Sequence, residues 1–250
     1  MHSRRLRRTI ALASGSLSQH IREFWEHPRL AELYPEFLFA TYGVICASTP
    51  LLTTAAEQAE LRAREDETSR VLAPYLREHA MEEAGHDEWL MDDLARCGIG
   101  RERVLARVPY PSVAALAGAQ FYWARHVHPV AMMGYLAVLE NPASPEFLEE
   151  VSAVRGVPIE VMSTHLRHAR LDRGHVAEFD RMLDTLPLTS QQNDVLATSA
   201  IASVALLDAV FEDVLRQFAH ADDEGLADRV FRMAARADRR SGATAGAAVV

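Results

Sequence analysis

HARLDRGH, residues 168–175, is the stretch on which the reading of the fold turns. At about 100° per residue in an α-helix, His168, Asp172 and His175 sit at roughly 0°, 40° and −20°, one narrow stripe. HAMEEAGH, residues 79–86, carries the same pattern, with His79, Glu83 and His86 at the same offsets. Two histidines and a carboxylate on one helical face, mirrored on a second helix, are what a dinuclear metal centre in a helix bundle requires. Imidazole and carboxylate suit iron and manganese, and the missing thiolate disfavours structural zinc.

Working outward, helical periodicity continues in both directions. Leu17 to Ala31 reads as one amphipathic helix or two short ones, with a break at Pro28. Pro35 to Ala63 is a second long segment with an expected kink at Pro50. Asp66 to Cys97 is a third, closed by Gly98 and Gly100. Ser112 to Glu140 lies between proline breakers, a shorter helix covers Pro145 to Val154, and Pro158 to Leu183 and Ser190 to Phe218 complete the set. No Asn-Gly or Asp-Gly hairpin flanked by alternating β-branched residues occurs, so the fold class is all-α. Residues 1–16 read as a flexible N-terminal tail, 17–238 as a single helical domain, and 239–250 as a disordered C-terminal tail.

The net charge is −9, and four arginines crowd the first eight positions, which leaves the body still more acidic. Such a surface repels phosphate backbones, so no nucleic acid is expected as a partner. No uninterrupted run of about 18 apolar residues is present, and the apolar part of the basic start is too short for a secretory segment, so no membrane partner and a cytoplasmic location are expected. Cys46 and Cys97 lack CxxC spacing and support neither a disulfide framework nor a thiolate zinc site.

A third helix offers Glu140, a lone carboxylate at the end of the apolar run 132–139, placed to bridge two metals. A carboxylate near a helix C-terminus opposes the dipole, which favours a ligand role over simple exposure. Glu83, Glu140 and Asp172 fall short of the charge of two ferrous ions, so the site could attract an anionic third party. Glu82 also faces His86 at i, i+4 and competes with Glu83, and His79 is either a ligand or a hydrogen-bonded histidine. His20, His27, His126, His128 and His165 read as structural or supporting residues. Trp89, Phe121, Tyr122, Trp123 and Tyr135 are candidates for a pocket lining, with core packing as the alternative.

Glu83-Ala-Gly-His86, then Gly134-Tyr-Leu-Ala-Val-Leu-Glu140, then His168-x3-Asp172-x2-His175 resemble the heme-oxygenase-like diiron oxidases and oxygenases, the iron-containing redox enzyme family. The resemblance spans about Trp25 to Phe218 and implies a heme-oxygenase-like bundle of about seven helices. It implies two iron ions (Fe2+) held by Glu83, His86, Glu140, His168, Asp172 and His175, with O2 as co-substrate activated through a peroxo-diferric state. Many members place more residues between the first Glu and its His, so the short spacing here keeps Glu82 and His79 in play. The implied activity is that of a non-heme oxidoreductase acting on a small-molecule substrate, amino-acid-derived by preference, in biosynthesis. N-oxygenation, desaturation and oxidative C–C cleavage are the reactions it allows, with an external electron donor and a homodimer compatible with the resemblance.

Three other readings share the scaffold or the residues. A heme-degrading oxygenase would use His20 or His27 as axial ligand, and the carboxylate and histidine stripes argue against it. A cofactor-free thiaminase-like hydrolase would need Cys46 or Cys97 as nucleophile. A non-enzymatic metal-binding module would load iron without turnover.

Overall fold

The computed structural model describes residues 1–140 and 143–219, and the side chains of all of these except 171–175 and 218–219. Among the described residues the secondary structure is helical throughout: α1 (His2–Ala13), α2 (Gly15–Glu26), α3 (Leu30–Arg62), α4 (Glu67–Glu82), α5 (His86–Arg96), α6 (Arg101–Ala106), α7 (Pro111–Tyr122), α8 (Ala131–Leu139), α9 (Pro145–Arg155), α10 (Ser163–Thr185) and α11 (Ser190–Ala219). A π-helical turn, Trp123–Val127, follows α7, and a 3₁₀ turn, Ile159–Met162, precedes α10.

The all-α expectation holds, but two of the expected long helices are each divided. The segment from Asp66 to Cys97 breaks at Glu83-Ala-Gly85, where Gly85 takes φ +89° and starts a new helix at His86. A residue with a Cβ is strained in that left-handed region, so glycine sets the turn. The segment from Ser112 to Glu140 breaks at His128-Pro129, because Pro129 cannot donate to the preceding turn. Local caps fix other boundaries: Asp66 accepts from the Ser69 N–H at 2.9 Å to start α4, and Ser144 accepts from Phe147 to start α9.

Residues 1–16 are not a loose tail. Leu6 is buried, Ser3 donates through both its backbone N–H and its hydroxyl to Asp184 at 2.9 Å, and Arg7 grips Asp180 with its nearest contact at 2.7 Å. These partners hold α1 against α10, and α1 also packs on α11. The expected tail at 239–250 lies outside the described residues.

α3 and α11 run through the middle of the bundle, with α4, α5 and α7 against α3 and with α1, α2, α7 and α8 against α11. Each is long and apolar enough by composition to cross a membrane, and each here packs against several other helices. Phe24, Phe37 and Phe211 join α2, α3 and α11 with ring centroids 4.5 to 5.9 Å apart, and Phe37 also stacks on His165 at 5.2 Å. That cluster backs one wall of the site on α10. Gly134 lets α8 approach α11 closely, since a Cβ there would lie 2.6 Å from the Leu196 carbonyl oxygen and 2.8 Å from the Ala200 nitrogen.

Two stability predictions follow from these contacts. Gly134→Ala forces the helices apart and should lower unfolding free energy by about 1–3 kcal/mol in urea titrations, with secondary structure retained. Burial pushes the Asp66 carboxyl up, but hydrogen bonds from Ser69, Gln192 and His128 outweigh it and bring it down to about 2. Its contribution is therefore complete above about pH 4 and disappears as pH falls toward 2. Asp66→Ala should cost about 1–2 kcal/mol at neutral pH and flatten the acid limb of the stability curve in that window.

Candidate metal centre

The break at Gly85 places His86 at the first position of α5 while Glu83 closes α4. Glu83 Oε2 lies 3.2 Å from His86 Nδ1, and that nitrogen lies 3.2 Å from Nε2 of His168 on α10. Polar atoms from three elements are therefore linked, Glu83 to His86 and His86 to His168. Trp89, one turn along α5, stacks on the His86 ring with centroids 4.0 Å apart and fixes its plane. Burial pushes the Glu83 carboxyl up, but the hydrogen bond and charge of His86 prevail and hold it below the ordinary carboxylate value.

Across the cleft, Glu140 follows the last turn of α8 and its Oε1 lies 2.8 Å from Nε2 of His79 on α4. The two are close enough to attract, yet neither Glu140 oxygen has an aligned hydrogen-bond donor among the described residues, and both are buried. Burial favours neutral His79, but the Glu140 carboxylate outweighs it and raises the imidazole above its ordinary value. Tyr75 stacks on the same ring.

His79, Glu83, Glu140 and His168 open onto one cavity of about 200 Å³. Its remaining walls are mostly apolar, from Val44, Ile45, Leu52, Leu136 and Leu139. Glu82 does not line the cavity: its side chain is 45% exposed and lies 3.3 Å from His79 Nδ1. Geometry thus puts Glu83 in the cavity and Glu82 at the rim. Asp172 and His175 lie outside the described side chains, although the backbone there continues α10. Among the described residues, no three His, Cys, Asp or Glu side chains close around a common point as a finished ion site. The donor chemistry nevertheless fits iron, because imidazoles and carboxylates face one cavity and the buried Glu140 carboxylate, with only His79 beside Oε1 and no hydrogen bond at Oε2 among the described residues, gains from a cation that offsets its desolvation.

One organising residue escaped the sequence reading. Asp93 on α5 is fully buried, accepts from the Thr164 N–H at 2.8 Å and the Ser163 hydroxyl at 2.6 Å, and pairs with Arg96 at 2.6 Å. It caps the N-terminus of α10 from a neighbouring helix, and α10 carries His165 and His168. Only its adjacency to a hydrophobic face could have separated it from Asp92. His165 is half-buried at the cavity wall, its Nδ1 lies 2.8 Å from the Tyr34 hydroxyl, and desolvation drives it down to about 3.

The remaining candidates fall into place around this centre. His128 holds Asp66 at 2.9 Å, and His20 pairs with Asp208 at 2.7 Å. His27 accepts from the Arg29 N–H. Neither His20 nor His27 lines the cavity, whose volume lies below the roughly 300–1,000 Å³ of pockets for drug-sized ligands. Burial pushes the Cys97 thiol up to about 11 and raises Cys46 as well, the opposite of what a nucleophilic thiolate needs. Tyr135 lines the cavity, Trp89 supports His86, and Tyr122 is exposed.

Helices arranged in this way around a cleft define a heme-oxygenase-like fold. The chain superimposes on a domain of unknown function with that fold from Shewanella denitrificans OS217, with a TM-score of 0.71 and 21% identity, covering 89% of this chain and 94% of that one. It is also similar to a TenA homolog from Pseudomonas syringae pv. tomato, with a TM-score of 0.65 and 13% identity, covering 85% and 92% of the two chains. The sequence pattern of the iron-containing redox enzymes matches residues 49–206, and the chain belongs to that family. No curated protein matches the chain significantly.

Asp93→Ala removes the cap and leaves the α10 N–H groups unpaired. Loss of its charge-assisted hydrogen bonds should cost about 2–4 kcal/mol in urea unfolding, and a milder Asp93→Asn should recover part of it.

Proposed function

We propose that this protein is an O2-dependent non-heme diiron oxidoreductase that oxidises a small organic molecule by N-oxygenation, desaturation or oxidative C–C cleavage. The observation that carries the reading is Glu140: a carboxylate with both oxygens buried, Oε1 meeting His79 at 2.8 Å and Oε2 without a hydrogen bond among the described residues, at a cavity shared with Glu83 and His168, in a chain of the iron-containing redox family. Glu83, His86, Glu140 and His168 would hold the metal, with Asp172 and His175 further along α10 completing the set and His79 beside it. When bound, two ferrous ions supply two electrons to O2 and an open coordination position next to the substrate.

The protein's own part is to prepare that position. His79 Nε2 lies 2.8 Å from Glu140 Oε1, and this attraction would steady the carboxylate until a stronger cation replaced the contact. Trp89 keeps the His86 ring from turning, and Asp93 fixes the start of α10 and with it His168. Val44, Ile45, Leu52, Leu136 and Leu139 exclude water, so charge interactions inside the cavity are strengthened and reactive species are protected from side reactions.

Anaerobic reconstitution with ferrous iron, followed by metal analysis and rapid mixing with O2, tests the reading. The expected outcome is about two irons per chain and a transient visible band on mixing. Glu140→Ala should bind at least tenfold more weakly at one iron position while keeping its helical circular dichroism. Wild-type iron loading in that variant would remove Glu140 from the ligand set. Stoichiometric heme binding instead of iron would overturn the proposal.

A further inference from the structure

Trp89 on α5 touches two candidate ligand imidazoles from different helices. Its ring stacks on His86 with centroids 4.0 Å apart and an interplanar angle of 29°, and lies 5.8 Å from the ring of His168 on α10. The residue is half-buried, and the exposed Arg167 sets its guanidinium carbon 5.0 Å from the ring centroid. One aromatic ring therefore connects both imidazoles with the surface. The other two tryptophans pack elsewhere, Trp25 on Phe24, Phe37 and Phe147, and Trp123 on Tyr122. Holding the plane of His86 explains an aromatic ring at this place, but any aromatic ring can stack, and an indole is not required for it. What indole adds is chemical: it gives up one electron far more readily than a benzene ring. Tyr135 is the rival at the cavity wall, but a phenol that loses an electron also expels its O–H proton, and the buried Tyr135 hydroxyl has no acceptor among the described residues.

We infer that Trp89 is the one-electron port of the metal centre: when no substrate is bound, its ring gives an electron to the O2-oxidised metals by way of the imidazoles it touches, and an external donor refills it from the surface. The electron count requires such a source. Four electrons and four protons turn O2 into two waters, and two ferrous ions supply two of the electrons. A bound substrate supplies the others; without one, the oxidising centre is left against its own protein. Trp89 then supplies the third electron and releases its indole N–H proton to solvent, with no other bond broken in the ring. The external donor supplies the fourth, and water the remaining protons. A further electron from the donor and a proton from water restore the indole. An anionic donor such as ascorbate suits Arg167 beside the ring. The inference rests on the diiron reading, and its test separates the two.

The full-length protein, loaded with ferrous iron under nitrogen, is mixed with O2 in the absence of substrate and followed by stopped-flow absorption and freeze-quench electron paramagnetic resonance. A slight excess of ferrous iron supplies the fourth electron when ascorbate is withheld. Wild type should form a tryptophanyl radical as the iron becomes ferric, and ascorbate should shorten its lifetime. Trp89→Phe keeps a ring against His86 and Trp89→Leu removes it; both should lose the radical entirely, whereas iron loading should fall further in Trp89→Leu than in Trp89→Phe. That contrast separates passing an electron from holding an imidazole. Tyr135→Phe should leave the tryptophanyl radical in place. Ferric iron formed in wild type without a tryptophanyl radical, or the same radical in Trp89→Phe, would overturn the port and leave the diiron reading standing. A wild-type protein that loads no iron, or whose ferrous iron does not react with O2, would overturn both.

Discussion

The site depends on a buried carboxylate that is not in it. Asp93 is fully buried, and a bare carboxylate there would be untenable without the N-terminus of α10, whose N–H groups and dipole offset its charge. The dependence runs both ways, because α10 begins where Asp93 receives it. Since α5 carries His86 four residues after the α4 terminus and α10 carries His168, a single inter-helix cap sets the spacing between the two imidazoles. Shifting that cap by one residue would rotate His168 by about 100° and take it off the cavity.

Burial then separates the roles of groups that look alike in the chain. His165 and His168 are three residues apart on α10, yet His165 packs against Phe37 and Tyr34 and is driven down by desolvation, while His168 meets His86 at the cavity. Glu82 and Glu83 are adjacent, and the end of α4 divides them: one reaches solvent, the other the cavity. The wall that holds His79 against Glu140 also carries Val44, Ile45, Leu52, Leu136 and Leu139, and that hydrocarbon makes each polar atom in it count for more.

Helix content was legible because it is written locally. Proline and glycine bracket α9, Pro187 precedes α11, and α3 absorbs both Pro35 and Pro50. The break at Glu83-Ala-Gly85 was not, because that tripeptide suits a helix interior nearly as well as a turn, and only φ +89° at Gly85 decides between them. The stripe argument placed His79, Glu83 and His86 on one continuous helix; the structure brings Glu83 and His86 together through the turn instead. Helix α1 was illegible for a different reason: what holds it, Asp180 and Asp184, lies over 170 residues away, and no local pattern encodes so distant a partner. Asp93 failed both ways, since its partner is remote and its neighbour Asp92 is chemically identical.

The cavity's composition bears on why one scaffold can serve different chemistries. A heme-oxygenase-like bundle supplies facing helices and a cleft, and the reaction is decided by what the cleft presents. Here the two thiols are raised by burial and so are poor nucleophiles, and neither His20 nor His27 lines the cleft, whereas carboxylates and imidazoles converge from α4, α5, α8 and α10. Convergence from four separate elements makes the site sensitive to small movements of any one of them. It also means that a cation drawing Glu140 toward Glu83 would tighten α8 against α4, so metal binding and packing would be stabilised by the same displacement.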